Sequence, residues 1–110
     1  MTEYPLTLDD IVLWCDSKKI MLPGSGVALA DIRKRTEYVP AVAADFDGIG
    51  TMGRINGWVS GEFDFEAVSV PDGKCLFSKH VQISTLEALE TTYSEFLQYL
   101  VHPDKLVKDH

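Results

Sequence analysis

Hydrophobic residues near the start of the chain recur at helical spacing. The stripe consists of Leu8, Ile11, Val12 and Cys15, with Trp14 at its edge. It predicts a helix from about Leu8 to Lys18, because residues three and four positions apart share one face of a helix. Thr7 and Asp10 form a Thr-x-x-Asp capping box, which places the start of this helix directly after Thr7.

A second apolar stripe lies near the end of the chain. It contains Leu86, Leu89, Tyr93, Phe96, Leu97 and Leu100. A Ser-x-x-Glu box from Ser84 to Glu87 predicts the start of this helix, and Pro103 predicts its end near His102. Residues 102–110 alternate charges with few apolar anchors, so we expect a loosely held tail.

Between the helices the hydrophobic period changes to two, which indicates strands. A turn-rich loop occupies about residues 21–26. Residues 27–35 favour a short helix or turn, although alternation could make part of this segment a strand. Clear strand patterns cover residues 37–46, 54–61, 62–70 and 75–83. The sequence therefore predicts an α+β fold, in which an antiparallel sheet of about four strands packs against N- and C-terminal helices as a two-layer sandwich.

Length and charge restrict the kinds of partner. A chain of 110 residues is typical of one hydrophobic core, so we expect a single domain over residues 1–110. The 17 acidic residues against 10 basic ones give a net charge of -7, which disfavours direct binding to nucleic acid or anionic lipid and favours a basic partner. The same charge could equally serve only to keep a small domain soluble.

The sequence also gives an expected location and redox state. No apolar run approaches the roughly 18 residues of a membrane span, and the first residues carry acids where a secretory signal carries bases. We therefore expect a cytoplasmic protein. Cys15 and Cys75 have neither CxxC spacing nor a neighbouring histidine, which favours buried free thiols over a zinc site or a disulfide. No cofactor is indicated.

One acidic string has an enzyme-like pattern. The run Asp45-Phe-Asp-Gly-Ile-Gly-Thr resembles the aspartate motif of haloacid-dehalogenase-type phosphatases, where paired carboxylates hold magnesium. That family needs a parallel sheet with further motifs, whereas antiparallel hairpins are predicted here. A calcium loop is the second interpretation, but its twelfth position is Asn56 rather than glutamate. We favour a hairpin turn, because Asp-Gly pairs supply the positive φ of tight turns.

Nucleophilic catalysis would need a cysteine or serine beside a histidine base. No local pattern joins Cys15 or Cys75 to His80. His80 falls inside a predicted strand, where a half-exposed side chain without a chemical role is the common outcome. The sequence therefore predicts neither catalytic residues nor metal ligands.

Alternation over residues 57–67 gathers charge on one side of the sheet. Trp58, Glu62, Asp64 and Glu66 fall on one face, and Val59, Phe63 and Phe65 on the other. Carboxylates about 7 Å apart along a strand repel one another unless water, salt or a cationic partner offsets the cost. This face is a candidate binding site, although a solvated sheet face carries polar residues without any function. Trp58 would be an apolar anchor in an interface, or would pack under the C-terminal helix.

The same region has a recognisable pattern. The run Arg54-Ile-Asn-Gly-Trp-Val-Ser-Gly-Glu-Phe-Asp-Phe-Glu-Ala, the turn Asp72-Gly-Lys, the pair Lys79-His80 and the helix from Ser84 resemble the TriTu-type immunity proteins of bacterial polymorphic toxin systems. The likeness covers about residues 54 to 100. The residues that carry it are Trp58, Gly61, Glu66 and His80.

The resemblance implies a small cytoplasmic antidote that binds a cognate toxin domain, often a nuclease delivered by contact-dependent inhibition, and blocks its active site. A ribonuclease or deoxyribonuclease must present basic side chains to phosphate, so an acidic face could occupy that surface. The candidate contacts are Asp45, Asp47, Trp58, Glu62, Asp64 and Glu66. A general protein-binding or accessory module, and less readily a small metal-dependent hydrolase, stay open as alternatives.

Overall fold

Two helices flank five consecutive strands along the chain. The computed structural model describes residues 6–21, 27–36 and 38–101. The elements are α1 (Leu8–Met21), β1 (Ala28–Arg35), β2 (Ala41–Asp47), β3 (Thr51–Trp58), β4 (Glu62–Ser69), β5 (Cys75–Gln82) and α2 (Leu86–Val101). The predicted α+β class is confirmed. The predicted tail at 102–110 and most of the predicted loop at 21–26 lie outside the described residues.

The five strands form one sheet in the order β1-β2-β3-β4-β5, and every neighbouring pair is antiparallel. Helix α1 packs against β1 and β2, and α2 packs against β3, β4 and β5. The buried side chains of the central strands point toward this helix layer, so the sandwich has two layers, as predicted. Neither described helix is long and apolar enough to cross a bilayer.

The sheet has five strands rather than about four, because residues 28–35 form β1. The favoured helix or turn in this segment is therefore wrong. A β-bulge lies between Leu29 and Asp31, so the core-facing residues Leu29 and Ile32 are three positions apart instead of two. This spacing imitates a helix in the sequence. The segment is nevertheless a strand, because its pairing with β2 extends from Ala28 to Arg35.

The next strand begins later than predicted. Residues 38–40 connect β1 to β2, and β2 starts at Ala41 rather than near residue 37. Pro40 has no N–H to donate to a strand ladder, which is consistent with a start directly after it. Tyr38 takes a positive φ of 55° and is 99% exposed, so its apolar ring gives no core contact in spite of the sequence pattern.

The predicted N-terminal cap is confirmed for α1 and is wrong by one residue for α2. At α1, the backbone N–H of Asp10 donates to Thr7 Oγ1 and that of Thr7 donates to Asp10 Oδ2, both at 3.0 Å, which confirms the box. At α2, the N–H of Ala88 donates instead to Thr85 Oγ1 at 3.1 Å. The predicted Ser84 cap is therefore wrong by one residue, because the adjacent threonine satisfies the same helix end.

The core is aromatic and lies between the sheet and the helices. Its largest fully buried side chains include Phe46, Phe63, Phe65 and Phe96. Phe96 of α2 lies over Gly53 of β3, where an added Cβ would come within 2.6 Å of the ring. Because glycine has no side chain, α2 can approach the sheet closely at this position. The helix layer therefore packs on one face, and the opposite face of the sheet is free of described helices.

Candidate functional site: the outer face of the sheet

We call the sheet face that points away from both helices the outer face. On β3 and β4 the odd-numbered residues are buried, except Ser69 at the end of β4, whereas the even-numbered residues are exposed or half-buried and point outward. Glu62, Asp64 and Glu66 therefore lie in a line on the outer face, as alternation predicts. Phe63, at 0% exposure, and Phe65, at 1%, lie on the core side.

Strand β2 adds two more carboxylates to this face. Asp45 is opposite Arg54 and Asp47 is opposite Met52 in the register of β2 and β3, and paired residues share a face. Both aspartates belong to β2, and the tight turn follows them at residues 48–50, where Gly50 has a φ of 68°. The hairpin turn therefore lies at the expected turn signals, with its positive φ at Gly50, and Asp45 and Asp47 precede it in the strand. Within the described part of the chain, no group of three or more His, Cys, Asp or Glu side chains is arranged to hold a metal ion.

Trp58 is half-buried and shares the outer face. It pairs with Ala41 of β2, whose side chain is only 2% exposed. The alternative in which this tryptophan packs under the C-terminal helix is wrong, because the even-numbered positions of β3 point away from α2. All six candidate residues are thus brought to one face. They are Asp45, Asp47, Trp58, Glu62, Asp64 and Glu66.

The six residues differ in their electrostatic surroundings, and Asp45 is already neutralised. Arg33 Nη1 donates to Asp45 Oδ2 at 2.6 Å, and Arg54 Nε donates to Asp45 Oδ1 at 2.6 Å. The Arg33 hydrogen bond, followed by that of Arg54, holds the pKa of Asp45 below its ordinary value. Arg33 also pairs with Asp31 at 2.7 Å. Asp45 therefore has little charge left to offer a partner.

His80 of β5 lies between two of the acids on β4. Its Nδ1 contacts Oδ1 of Asp64, which it opposes in the register, and its Nε2 lies 3.5 Å from Oε1 of Glu62. The hydrogen bond to Asp64, supported by the charge of Glu62, raises the pKa of His80 above its ordinary value. Both acids stay about half exposed, with side-chain exposures of 52% for Glu62 and 44% for Asp64.

Glu66 and Asp47 have no such compensation. Among residues 6–21, 27–36 and 38–101, no cationic or hydrogen-bonding side chain pairs with either carboxylate. Arg54 opposes Glu66 across β3 and β4, but its Nε is hydrogen-bonded to Asp45 instead. These two outward carboxylates have no paired side chain among the described residues, whereas Glu62 and Asp64 share the one imidazole of His80.

A cavity of about 350 Å³ opens on the outer face beside these two acids. It is lined by Ala30, Asp45, Phe46, Asp47, Met52, Gly53, Arg54, Glu66 and Val68. Sequence reasoning missed Met52, Val68 and the arginines of this region. Arg33 could not be placed beside Asp45 while its segment was expected to be a helix or turn.

The residues that carry the family resemblance lie on the outer face or in the turn beside it. Trp58, Glu66 and His80 lie on the outer face, and Gly61 forms the turn between β3 and β4. Gly61 has a φ of 103°, and an added Cβ would come within 2.3 Å of Gln82 Nε2, so glycine fits this turn. The model of the family described as Immunity protein TriTu matches residues 9–99. The chain belongs to the TriTu family of immunity proteins.

The TriTu match covers all five strands and nearly all of both helices, and it begins at residue 9, well before the predicted start of the likeness at residue 54. Comparison with curated proteins finds no match to the chain. Membership supports an immunity function and implies a toxin as partner.

Proposed function

We propose that this TriTu protein neutralises its cognate toxin by binding it through the outer face of the sheet. The observation that carries the proposal is the combination of an uncovered sheet face with several outward carboxylates and the half-buried Trp58. Both helices pack on the other face, so this surface of the sheet has no helix over it among the described residues. Tryptophan is enriched among the residues that dominate binding energy at interfaces.

The face has suitable dimensions for a protein interface. Five strands spaced about 4.8 Å apart and about eight residues long span roughly 600 Å² of sheet. A stable interface commonly buries about 800 Å² on each partner. The outer face, together with the turns around it, is therefore large enough to be most of such an interface.

We propose a nuclease as the toxin. A nuclease must present lysine and arginine side chains to the phosphates of its substrate, and carboxylates on a rigid sheet can occupy those positions. The net charge of -7 would speed the encounter with such a surface, and this effect weakens as salt rises. On this proposal the antidote acts by occupying the toxin and catalyses no reaction.

We propose the cytoplasm of the producing cell as the place of action, with contact-dependent inhibition as the route by which the toxin arrives. Both cysteines are free thiols; Cys15 is buried as expected, whereas Cys75 is exposed, so the expected burial is wrong for Cys75. Unpaired cysteines are typical of reducing compartments.

The test compares two triple variants with the same change in net charge. The first neutralises the face through Glu62→Gln, Asp64→Asn and Glu66→Gln, and the control neutralises the exposed helix residues through Asp9→Asn, Glu87→Gln and Glu95→Gln. The cognate toxin domain is sought among genes that adjoin the gene for this chain. We expect the face variant to lose protection of toxin-expressing cells and the control to keep it, with both unfolding near the wild-type temperature. Equal protection by the two variants would remove the outer face from the proposal.

A further inference from the structure

A concave site on the outer face lies between two irregularities of the sheet, the β-bulge of β1 at Leu29/Asp31 and a register shift between β4 and β5 at Ala67/Val68. The bulge inserts Ala30 into β1, and Ala30 is part of the wall of the 350 Å³ cavity. The cavity extends from there across β2 and β3 to Glu66 and Val68 on β4. A protruding side chain from a partner could enter here without any rearrangement of the sheet.

The charge within this cavity is unbalanced. Its lining holds three carboxylates and one guanidinium, and Arg54 is committed to Asp45 at 2.6 Å. Arg33 pairs with Asp45 from the other side at 2.6 Å. Glu66 and Asp47 are left without a cation among the described residues, and a desolvated carboxylate without a partner is costly. A ligand that covers the cavity must therefore bring positive charge.

The remaining lining is apolar. Met52 and Val68 oppose each other across β3 and β4, and Met52 is 51% exposed. An outward methionine on a charged sheet face offers an adaptable apolar surface. The long stems of arginine and lysine are apolar up to the charged head, so they match a site with an apolar floor and carboxylates at its rim. A hydrated inorganic cation would gain nothing from Met52 and Val68.

We propose that this cavity receives one basic side chain of the toxin, with its cation held by Glu66 and Asp47 and its stem packed on Met52 and Val68. An arginine fits best, because its planar guanidinium has five N–H donors and can engage two carboxylates together. The inference rests on the proposed function and sharpens it. It assigns the main electrostatic contact to Glu66 and Asp47, and gives Asp45 the role of positioning Arg33 and Arg54.

The test uses single neutralisations on the same strand, so that the change in net charge is identical. Glu66→Gln should weaken toxin binding by about 30-fold, as expected for a central charged contact, whereas Glu62→Gln should weaken it by less than about 3-fold. Asp47→Asn should resemble Glu66→Gln, and Met52→Ser should weaken binding without changing its salt dependence. Dissociation constants are measured by calorimetry, with an inactive toxin variant as the partner.

Double-mutant cycles then identify the occupant. Each arginine and lysine of the toxin's binding surface is replaced by alanine, in combination with Glu66→Gln and separately with Glu62→Gln. One basic residue should couple strongly to Glu66 and Asp47 and weakly to Glu62. Equal effects of Glu66→Gln and Glu62→Gln, or coupling of Glu66 only to uncharged toxin residues, would overturn the cavity assignment and leave the proposed function standing. Unchanged binding in every outer-face variant would instead overturn the proposed function.

Discussion

The ammonium of Lys18 on α1 lies 2.5 Å from Oε1 of Glu90 on α2, and it fixes the two helices to each other. Its side chain is only 4% exposed, and Nζ also lies 4.8 Å from the ring centroids of Trp14 and Tyr93. Trp14 Nε1 donates to the same Glu90 oxygen at 3.0 Å. Glu90 thus satisfies a buried cation and a buried indole, while its own side chain is 46% exposed.

Because Lys18 is buried and Glu90 is half exposed, we expect the loss of Glu90 to reduce stability more than the loss of Lys18. Glu90→Ala should lower the free energy of unfolding by about 3 kcal/mol, because it leaves the ammonium of Lys18 buried without a counter-charge. Lys18→Met should cost less, because methionine keeps the stem in its apolar surroundings and Glu90 can be hydrated. Urea denaturation of both variants measures the difference. A larger loss for Lys18→Met than for Glu90→Ala would contradict the burial order of the pair.

On the proposed function, we expect His80 to make toxin binding depend on pH. Its folded pKa lies above the ordinary 6.5, so its contribution to stability is fully present below about pH 6.5 and is lost as pH rises through the folded pKa. Binding should respond in the opposite direction. An imidazolium offsets one of the two negative charges of Asp64 and Glu62, so on the proposed function a basic toxin would bind those acids better once His80 has lost its proton.

We therefore expect toxin affinity to increase as pH rises above 6.5, and His80→Gln to flatten this part of the profile. Affinity is measured at matched ionic strength across the range, with the same toxin for both proteins. Because histidines of the toxin contribute equally to both profiles, the difference between them reports His80. Identical profiles would contradict the effect.

Close packing over Gly53 predicts a strong effect of a small substitution. Gly53→Ala places a Cβ 2.6 Å from Cζ of Phe96, whose ring is held by Phe46 and Phe65 at centroid distances of 5.5 and 5.8 Å. We expect a loss of about 2 kcal/mol of stability, because an overpacked core must shift side chains or backbone. Phe96→Leu in the same chain should recover part of this loss, and thermal unfolding of the two single variants and the double variant measures it. Additive losses would show that the two positions do not meet.

The two thiols should differ sharply in reactivity. Cys15 is 2% exposed, and burial raises its pKa to about 12, whereas Cys75 is exposed on β5. The thiolate is the reactive form, so a maleimide should add once to the native protein and twice after unfolding. The mass of the intact protein counts the additions. Rapid double labelling of the native protein would show that α1 separates from the sheet.

Local patterns were sufficient to predict the central part of the fold. Alternation from Trp58 to Glu66 gave the correct outward and inward positions, because these residues lie in unbulged strands with one buried face. The Thr7 box predicted α1 because both partners are close in sequence. Segment 27–35 was missed because a bulge replaced the two-residue period by a three-residue step at Leu29 and Ile32.

The candidate site was only partly predictable for a related reason. The sequence indicated that Asp45 and Glu66 are outward acids. It could not show that arginines pair with Asp45 and not with Glu66, because that depends on which strands are neighbours. Arg33 reaches Asp45 across β1 and β2, a contact with no local signature. The cavity at Glu66 likewise depends on the bulge and on the pairing of Met52 with Val68.

The bulge and the basic run in β1 also determine where the sheet stops. Among the strands of the described residues, β1 is the last on its side, and an unpaired strand edge can recruit an identical strand from another copy. Here Arg33, Lys34 and Arg35 are all exposed along that edge, and the bulge interrupts the regular spacing of its backbone amide groups. Another chain could extend the ladder only by stripping water from these long cations. Exposed cations on an edge strand disfavour pairing with another chain, so the charged end of β1 works against self-association through this edge.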